Sequence, residues 1–201
     1  MRAVRRLVGR ALPLDRENVD TDQIIPAHWL KRIERTGYAA GLFEAWRRDP
    51  AFVLNDPRYT GASILIAGAN FGSGSSREHA AWALDEAGFR AVIAPKLADI
   101  FRNNAVKNGL VPVSLPAQAV TALMRAVERD PALEITVDVE ATTVSAPAIG
   151  LRERFPLAAR DQRSLAEGLD EIALTLQYET DIAAYEAARA AWLPATTRRA
   201  I

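Results

Sequence analysis

Cysteine is missing from all 201 residues. Its absence excludes disulfides, thiol nucleophiles and any iron–sulfur cluster ligated by cysteines of this chain. Histidine is scarce: there are two, His28 and His79, far apart in sequence. They make no zinc site without carboxylate help, and no residue is assigned as a metal ligand. An excess of either charge is lacking too, with Lys+Arg 25 against Asp+Glu 25. Without a field of one sign, neither a nucleic-acid role nor a membrane-surface role is expected. Long apolar runs are also absent; the best, ASILIAGA, suits a buried strand rather than a membrane span.

The residues present fit one sizeable domain spanning residues 1–201. The start, MRAVRRLVGRALPL, is rich in arginine and free of acids, as a transit peptide would be. It runs straight into a motif at Asp15, so a first strand with exposed arginines is the preferred reading, and a cytoplasmic location is expected. From there to about Pro57 the apolar pieces are short and broken by charges. TDQIIP reads as a short strand or extended loop, and RIERTGYAAGLFEAWRRDP as a helical or loop insert. Pro50, Pro57 and Gly61 punctuate the chain ahead of the first long apolar run.

The pattern then becomes regular. SILIAG, AVIAP and LVPVSL read as strands, the first buried on both faces. Between them, Ala80, Ala81, Leu84 and Ala87 form one helical stripe, and Leu97, Ile100, Phe101 and Ala105 a second. A third stripe carries Val120, Leu123, Met124 and Val127. This β-α-β-α-β-α order argues for a mostly parallel sheet covered by helices. After Pro131, LEITVDVE and TTVSAPAIG alternate as antiparallel strands do, with RERFPL a possible partner. Asp161 or Ser164 is placed to cap a helix carrying Leu165, Leu169, Ile172 and Leu176. A last helix with Ile182 and Tyr185 is expected to end near Trp192-Leu193-Pro194, so that helices over about 161–193 pack on the domain. The fold class is α/β.

The stretch GANFGSGSSREHAAWAL, Gly68 to Leu84, sits between a buried strand and a helix. In open α/β sheets that strand end is where ligands bind. Gly72 and Gly74 let the backbone turn and approach a ligand. A helix starting at Ser75 or Ser76 offers free amides and a favourable dipole to an anion. Arg77 adds a fork suited to a carboxylate. A purely structural explanation competes: Ser75-x-x-Glu78 matches a capping box. The box accounts for Ser75 and Glu78, but not for Ser76, Arg77 and His79 beside them. No P-loop lysine comes after the glycines, which disfavours a nucleoside triphosphate.

Other polar clusters are open to two readings. NVDTDQIIP is either an ordinary turn or a place where Asp20 or Asp22 orients an arginine or a serine. Lys31, Arg32 and Arg35 form either a solvated basic face or a loop that reads an anionic or branched substrate. In FRNNAVKNG, the poor helix formers Asn103 and Asn104 suggest a hydrogen-bonding task.

Four separated motifs together carry a resemblance: PLDRENVDTDQIIPAHWLKRIERTGY, GANFGSGSSREHAAWAL, LADIFRNNAVKNGLVPV and GLDEIALTLQYETDIAAYEAARAAWL. In this order they resemble the small subunit of 3-isopropylmalate dehydratase, of the aconitase superfamily, from about Leu7 to Leu193. The resemblance implies the swivelling β/β/α domain equivalent to the last domain of aconitase. It implies a hydro-lyase of leucine biosynthesis that interconverts 2- and 3-isopropylmalate through isopropylmaleate. It also implies a separate large subunit that carries a [4Fe–4S] cluster and completes the active site, with a small-molecule dicarboxylate as substrate.

By the same resemblance, Ser75 is the catalytic base, and Ser76 and Arg77 bind a substrate carboxylate. Thr21 and Asp22 match a Thr-Asp motif near them. Lys31 and Arg32 belong to a loop, to Tyr38, that discriminates the side group. Many relatives carry cysteine where this chain has Ser73; it is not a cluster ligand there. Related small subunits act on homoaconitate, citraconate or dimethylmalate, and a non-catalytic anion-binding module is the alternative from another class. Residues from about Leu30 to Tyr59 are expected to depend on the partner for their order.

Overall fold

A computed structural model describes residues 1–34, 36–190 and 192–193. Seven strands form one sheet in the order β4-β3-β2-β1-β5-β6-β7. They are β1 (Arg6–Leu14), β2 (Ile64–Ala67), β3 (Ala91–Ala94), β4 (Val111–Ser114), β5 (Glu134–Asp138), β6 (Thr143–Ala146) and β7 (Leu151–Arg154). The helices are α1 (Thr21–Ile24), α2 (Glu78–Glu86), α3 (Asp99–Lys107), α4 (Ala117–Arg129), α5 (Ala159–Glu167), α6 (Glu171–Leu176) and α7 (Glu179–Ala187). Among the described residues no helix is long and apolar enough to cross a membrane.

Strand β1 is the seam of the sheet. Its second half pairs parallel with β2, Ala11 opposite Ile64 and Leu14 opposite Ala67. Its first half pairs antiparallel with β5, Arg6 opposite Asp138 and Arg10 opposite Glu134. The sequence obeys this division: Ala11 to Leu14 are buried, whereas Arg6, Val8 and Arg10 stay exposed along one face. Strands β2 and β3 are buried at every position, as expected of parallel strands covered by helices. Helix α4 packs across β1, β2 and β3 through Val120, Leu123, Met124 and Val127, and α2 packs against α3. Alanines at 80, 81 and 83 are fully buried, and α2 also packs on the turn over Tyr38–Gly41.

Two expectations are corrected and a third is made specific. TDQI is one helical turn rather than a strand: Asp20 caps it, accepting from the Gln23 amide at 2.7 Å, while the Asp20 amide donates to Gln23 Oε1 at 2.9 Å. Residues 27–34 and 36–59, expected as a helical or loop insert, form a series of short 3₁₀ turns whose aromatic residues join the main core. There Phe43 stacks on Trp46 with centroids 5.4 Å apart, and Phe52 lies edge-on at 5.9 Å. At the C-terminal end, Gly168 turns left-handed (φ 72°) and splits the expected long helix. Helix α5 packs through Leu165, but α6 and α7 contain no buried residue. Ile172 and Leu176, expected to pack, are 71% and 58% exposed. Pro194, the expected end of the last helix, lies outside the described residues.

Candidate functional site

The β2-to-α2 connection leaves the carboxyl end of β2 and is laid over the segment 18–25. Backbone bonds fix it there: Asn18 N to Ala69 O at 2.8 Å, Gly72 N to Val19 O at 2.7 Å, and Thr21 N to Ser73 O at 2.9 Å. A parallel bridge joins Asp20 to Ser73, and another joins Phe71 to Leu97 at the head of α3. Gly72 and Gly74 both have positive φ, 78° and 91°. At Gly72 a Cβ would collide with the Phe101 side chain. Glycine there serves both the turn and the close approach.

Helix α2 starts later than the capping-box pattern suggested. Arg77 is the N-cap, with extended backbone (φ −135°) and no side-chain cap bond. Glu78 does not reach back; its Oε1 accepts from Asn108 Nδ2 at 3.1 Å. The box fails because Ser75, which follows the left-handed Gly74, lies two residues before the Arg77 N-cap, too early to face the α2 amides. The Ala80 amide bonds the Arg77 carbonyl at 3.1 Å, which leaves those of Glu78 and His79 at the positive end of the helix dipole.

Ser75 and Ser76 are exposed on this corner. Arg77 is mostly covered, its side chain 12% exposed, and its guanidinium pairs with Asp22. Its Nη1 also donates to the Ile25 carbonyl at 3.3 Å. Asp22 itself is 58% exposed. Its carboxylate lies beside the Arg77 guanidinium. Thr21, expected at the substrate, is 3% exposed, and its hydroxyl donates to the Ser75 carbonyl at 3.0 Å. That is a correction: Thr21 lies beneath the loop, not on its outer side.

Lys31 and Arg32 are exposed at the end of a 3₁₀ turn over Ala27–Lys31. The Arg32 guanidinium lies 5.2 Å from the Trp29 ring centroid and 5.7 Å from that of Tyr38. Tyr38 links this loop to α2. Its ring meets His79 at 5.2 Å and Trp82 at 5.5 Å, and its amide donates to Glu86 Oε2 at 2.6 Å. Burial in this cluster, with Arg77 nearby, pushes the His79 pKa down against the opposing pull of Glu78. The structure thus brings Thr21, Asp22, Ser75, Ser76 and Arg77 together at one corner and links Arg32 to α2 through Tyr38, with Lys31 its exposed chain neighbour. Glu86, the Ile25 carbonyl and Asn108 escaped the sequence reading. For Glu86 and Ile25 no local pattern marks a partner so distant in sequence.

Two family models match the chain: the aconitase C-terminal domain over residues 1–118, and the C-terminal domain of the 3-isopropylmalate dehydratase small subunit over 171–199. A curated 3-isopropylmalate dehydratase small subunit from Parafrankia sp. is 60% identical over 188 residues, covering 94% of this chain and 95% of its own. The corresponding protein of Streptomyces coelicolor is 55% identical over 198 residues, covering 98% of this chain and all (100%) of its own. The chain belongs to the 3-isopropylmalate dehydratase small-subunit family.

The fold agrees with that membership. The crystal structure of 3-isopropylmalate dehydratase (leuD) from Methanocaldococcus jannaschii superposes with a TM-score of 0.65 at 24% identity, covering 90% of this chain and 99% of the other. The expected aconitase C-terminal-like α/β domain is therefore the observed one. The aconitase-type match ends at residue 118 and so contains the corner, α2, α3 and the strands between them. The small-subunit match covers α6 and α7, the helices without buried residues.

Proposed function

We propose that this chain is the small subunit of a heteromeric hydro-lyase that interconverts 2- and 3-isopropylmalate through isopropylmaleate, in leucine biosynthesis. The supporting observation is one corner that brings together an exposed serine, uncapped helix amides and an oriented arginine, in a chain whose curated relatives bear that enzyme's name.

A [4Fe–4S] cluster does not fit this chain's own residues. Cysteine is absent, and among the described residues no group of three or more His, Cys, Asp or Glu could hold a metal ion. The cluster is assigned to the large subunit that the small-subunit name implies, and the active site to the place where the two meet. When bound there, it supplies a Lewis acid for the departing hydroxide.

The chain's own residues do the rest. Ser75 Oγ takes the proton from the carbon beside a substrate carboxylate and later returns one. A serine hydroxyl is a weak base, so its anionic form needs stabilising. The α2 amides and the Arg77 guanidinium supply that in a site closed by the partner. Arg77 and Ser76 hold a substrate carboxylate, and Asp22 keeps Arg77 aimed. Lys31 and Arg32, on the loop anchored by Tyr38, face the substrate's side group.

The test is reconstitution with the large subunit under anaerobic conditions, assaying 2-isopropylmalate, homoaconitate, citraconate and dimethylmalate in parallel. Turnover of the first is expected. Ser75→Ala should lower kcat by about 10²- to 10⁴-fold, the range for a general base. Undiminished turnover in Ser75→Ala would remove the base assignment.

A further inference from the structure

We propose that Thr21 is a positioning residue for the reaction, acting on Ser75 through its carbonyl and never touching substrate. This deepens the reading of Ser75 as base and rests on it.

Thr21 uses both its donors on the serine loop. Its amide bonds Ser73 O at 2.9 Å, and its hydroxyl bonds Ser75 O at 3.0 Å. The residue between, Gly74, lies over the threonine: a Cβ there would be 3.5 Å from Thr21 Oγ1. The loop is thus folded around this one side chain. Among the described residues, the Thr21 hydroxyl is the only side-chain group hydrogen-bonded to residues 73–76. Ser75 is exposed and flanked by a glycine, so no packing fixes its peptide planes. Pinning the Ser75 carbonyl fixes the plane from which the Ser75 side chain departs.

The support is itself rigid. Helix α1 closes on its own capping box, the Thr21 carbonyl accepts from Ile25 N at 2.9 Å, and the Ile24 carbonyl accepts from Phe43 N at 2.8 Å. Threonine suits the position because its β-branched side chain is stiff at χ1.

The same bonds have a second effect. The two carbonyls Thr21 engages belong to the peptide units whose amides are those of Gly74 and Ser76. A hydrogen bond at one end of a peptide polarises the other, strengthening it as a donor. Thr21 therefore both aims the base and sharpens the amides beside it.

The experiment uses the reconstituted two-subunit enzyme with Thr21→Val, which keeps the shape and removes the donor, and Thr21→Ser, which keeps the donor. Both are made with and without Ser75→Ala. Thr21→Val is expected to lower kcat roughly three- to tenfold, the loss for one neutral hydrogen bond, with KM and large-subunit affinity unchanged. Thr21→Ser should restore kcat to about twofold of the parent. In the Ser75→Ala background Thr21→Val should cost nothing more, because the two act as a unit.

An additive loss in that background, an unchanged kcat in Thr21→Val, or a rise in KM alone overturns the proposal. So does a tenfold loss in Thr21→Ser, which also decides the matter should Thr21→Val fail to fold. If Ser75→Ala alone leaves turnover intact, the base reading fails first, and the two failures are told apart.

Discussion

Arg77 and Asp22 form an ion pair across the gap between the α2 N-cap and helix α1, and the same guanidinium reaches the Ile25 carbonyl at 3.3 Å. One edge of the guanidinium is held by the protein, which leaves the rest of its donors for an anion. Arg77→Lys keeps the charge but loses the planar fork. We expect KM for the dicarboxylate to rise about 10- to 100-fold, the worth of one charge-assisted hydrogen bond, with kcat changed less. Steady-state kinetics of the reconstituted enzyme measures it. Asp22→Asn should give a smaller KM rise, because Asp22 is exposed and its contribution is screened.

Gly72→Ala tests the turn beneath the site. The substitution combines φ 78° with a clash against Phe101. We expect a loss of more than about 2 kcal/mol in the isolated subunit, read by thermal or urea unfolding. Gly88→Ala is the control: φ is 102° there, but a Cβ meets open space. Only the backbone strain of about 1–2 kcal/mol should appear.

His79 makes stability depend on pH. Burial lowers its folded-state pKa below the ordinary value of 6.5. The neutral form is the one the fold favours, so the contribution is complete above pH 6.5 and is lost as pH falls through the lower folded value. The urea midpoint should decline from pH 7 to pH 5 more steeply in the parent than in His79→Gln. Equal slopes would show that His79 does not carry this dependence.

Leu165 and Ile172 separate the packed from the unpacked part of the C-terminal helices. Leu165→Ala should cost about 2–5 kcal/mol, since the side chain is fully buried (0% exposed). Ile172→Lys, at a site 71% exposed, should change stability by less than about 0.5 kcal/mol. Calorimetry of the two variants distinguishes them.

The parallel core was legible because continuous apolar runs and helical stripes are local signals: SILIAG, AVIAP and the α4 stripe each say what they are. The serine corner was legible as a glycine-rich turn from a strand into a helix, but its details were not. Ser75-x-x-Glu78 fits a capping box in sequence, yet the left-handed turn at Gly74 and the Thr21–Ser75 bond override it. Asp20-x-x-Gln23 is the box that forms, and its pattern was readable. Thr21 was expected at the substrate through the resemblance alone, and its burial at 3% is set by a loop some fifty residues away that no local pattern announces. The C-terminal stripe of Ile172 and Leu176 reads as core, and nothing local distinguishes an apolar face that packs from one that does not.

The seam strand β1 also has a bearing on how the chain reaches this state. It is synthesised first, yet its two neighbours come from far downstream, β2 on one side and β5 on the other. Until both arrive, its backbone groups are an open template, and such distant pairings make for slow, non-local assembly. A ribosome-bound nascent chain that ends before Glu134 should therefore present one unpaired side of the strand. The strand that is paired on both sides in the finished protein would then recruit chaperones, or other copies of itself.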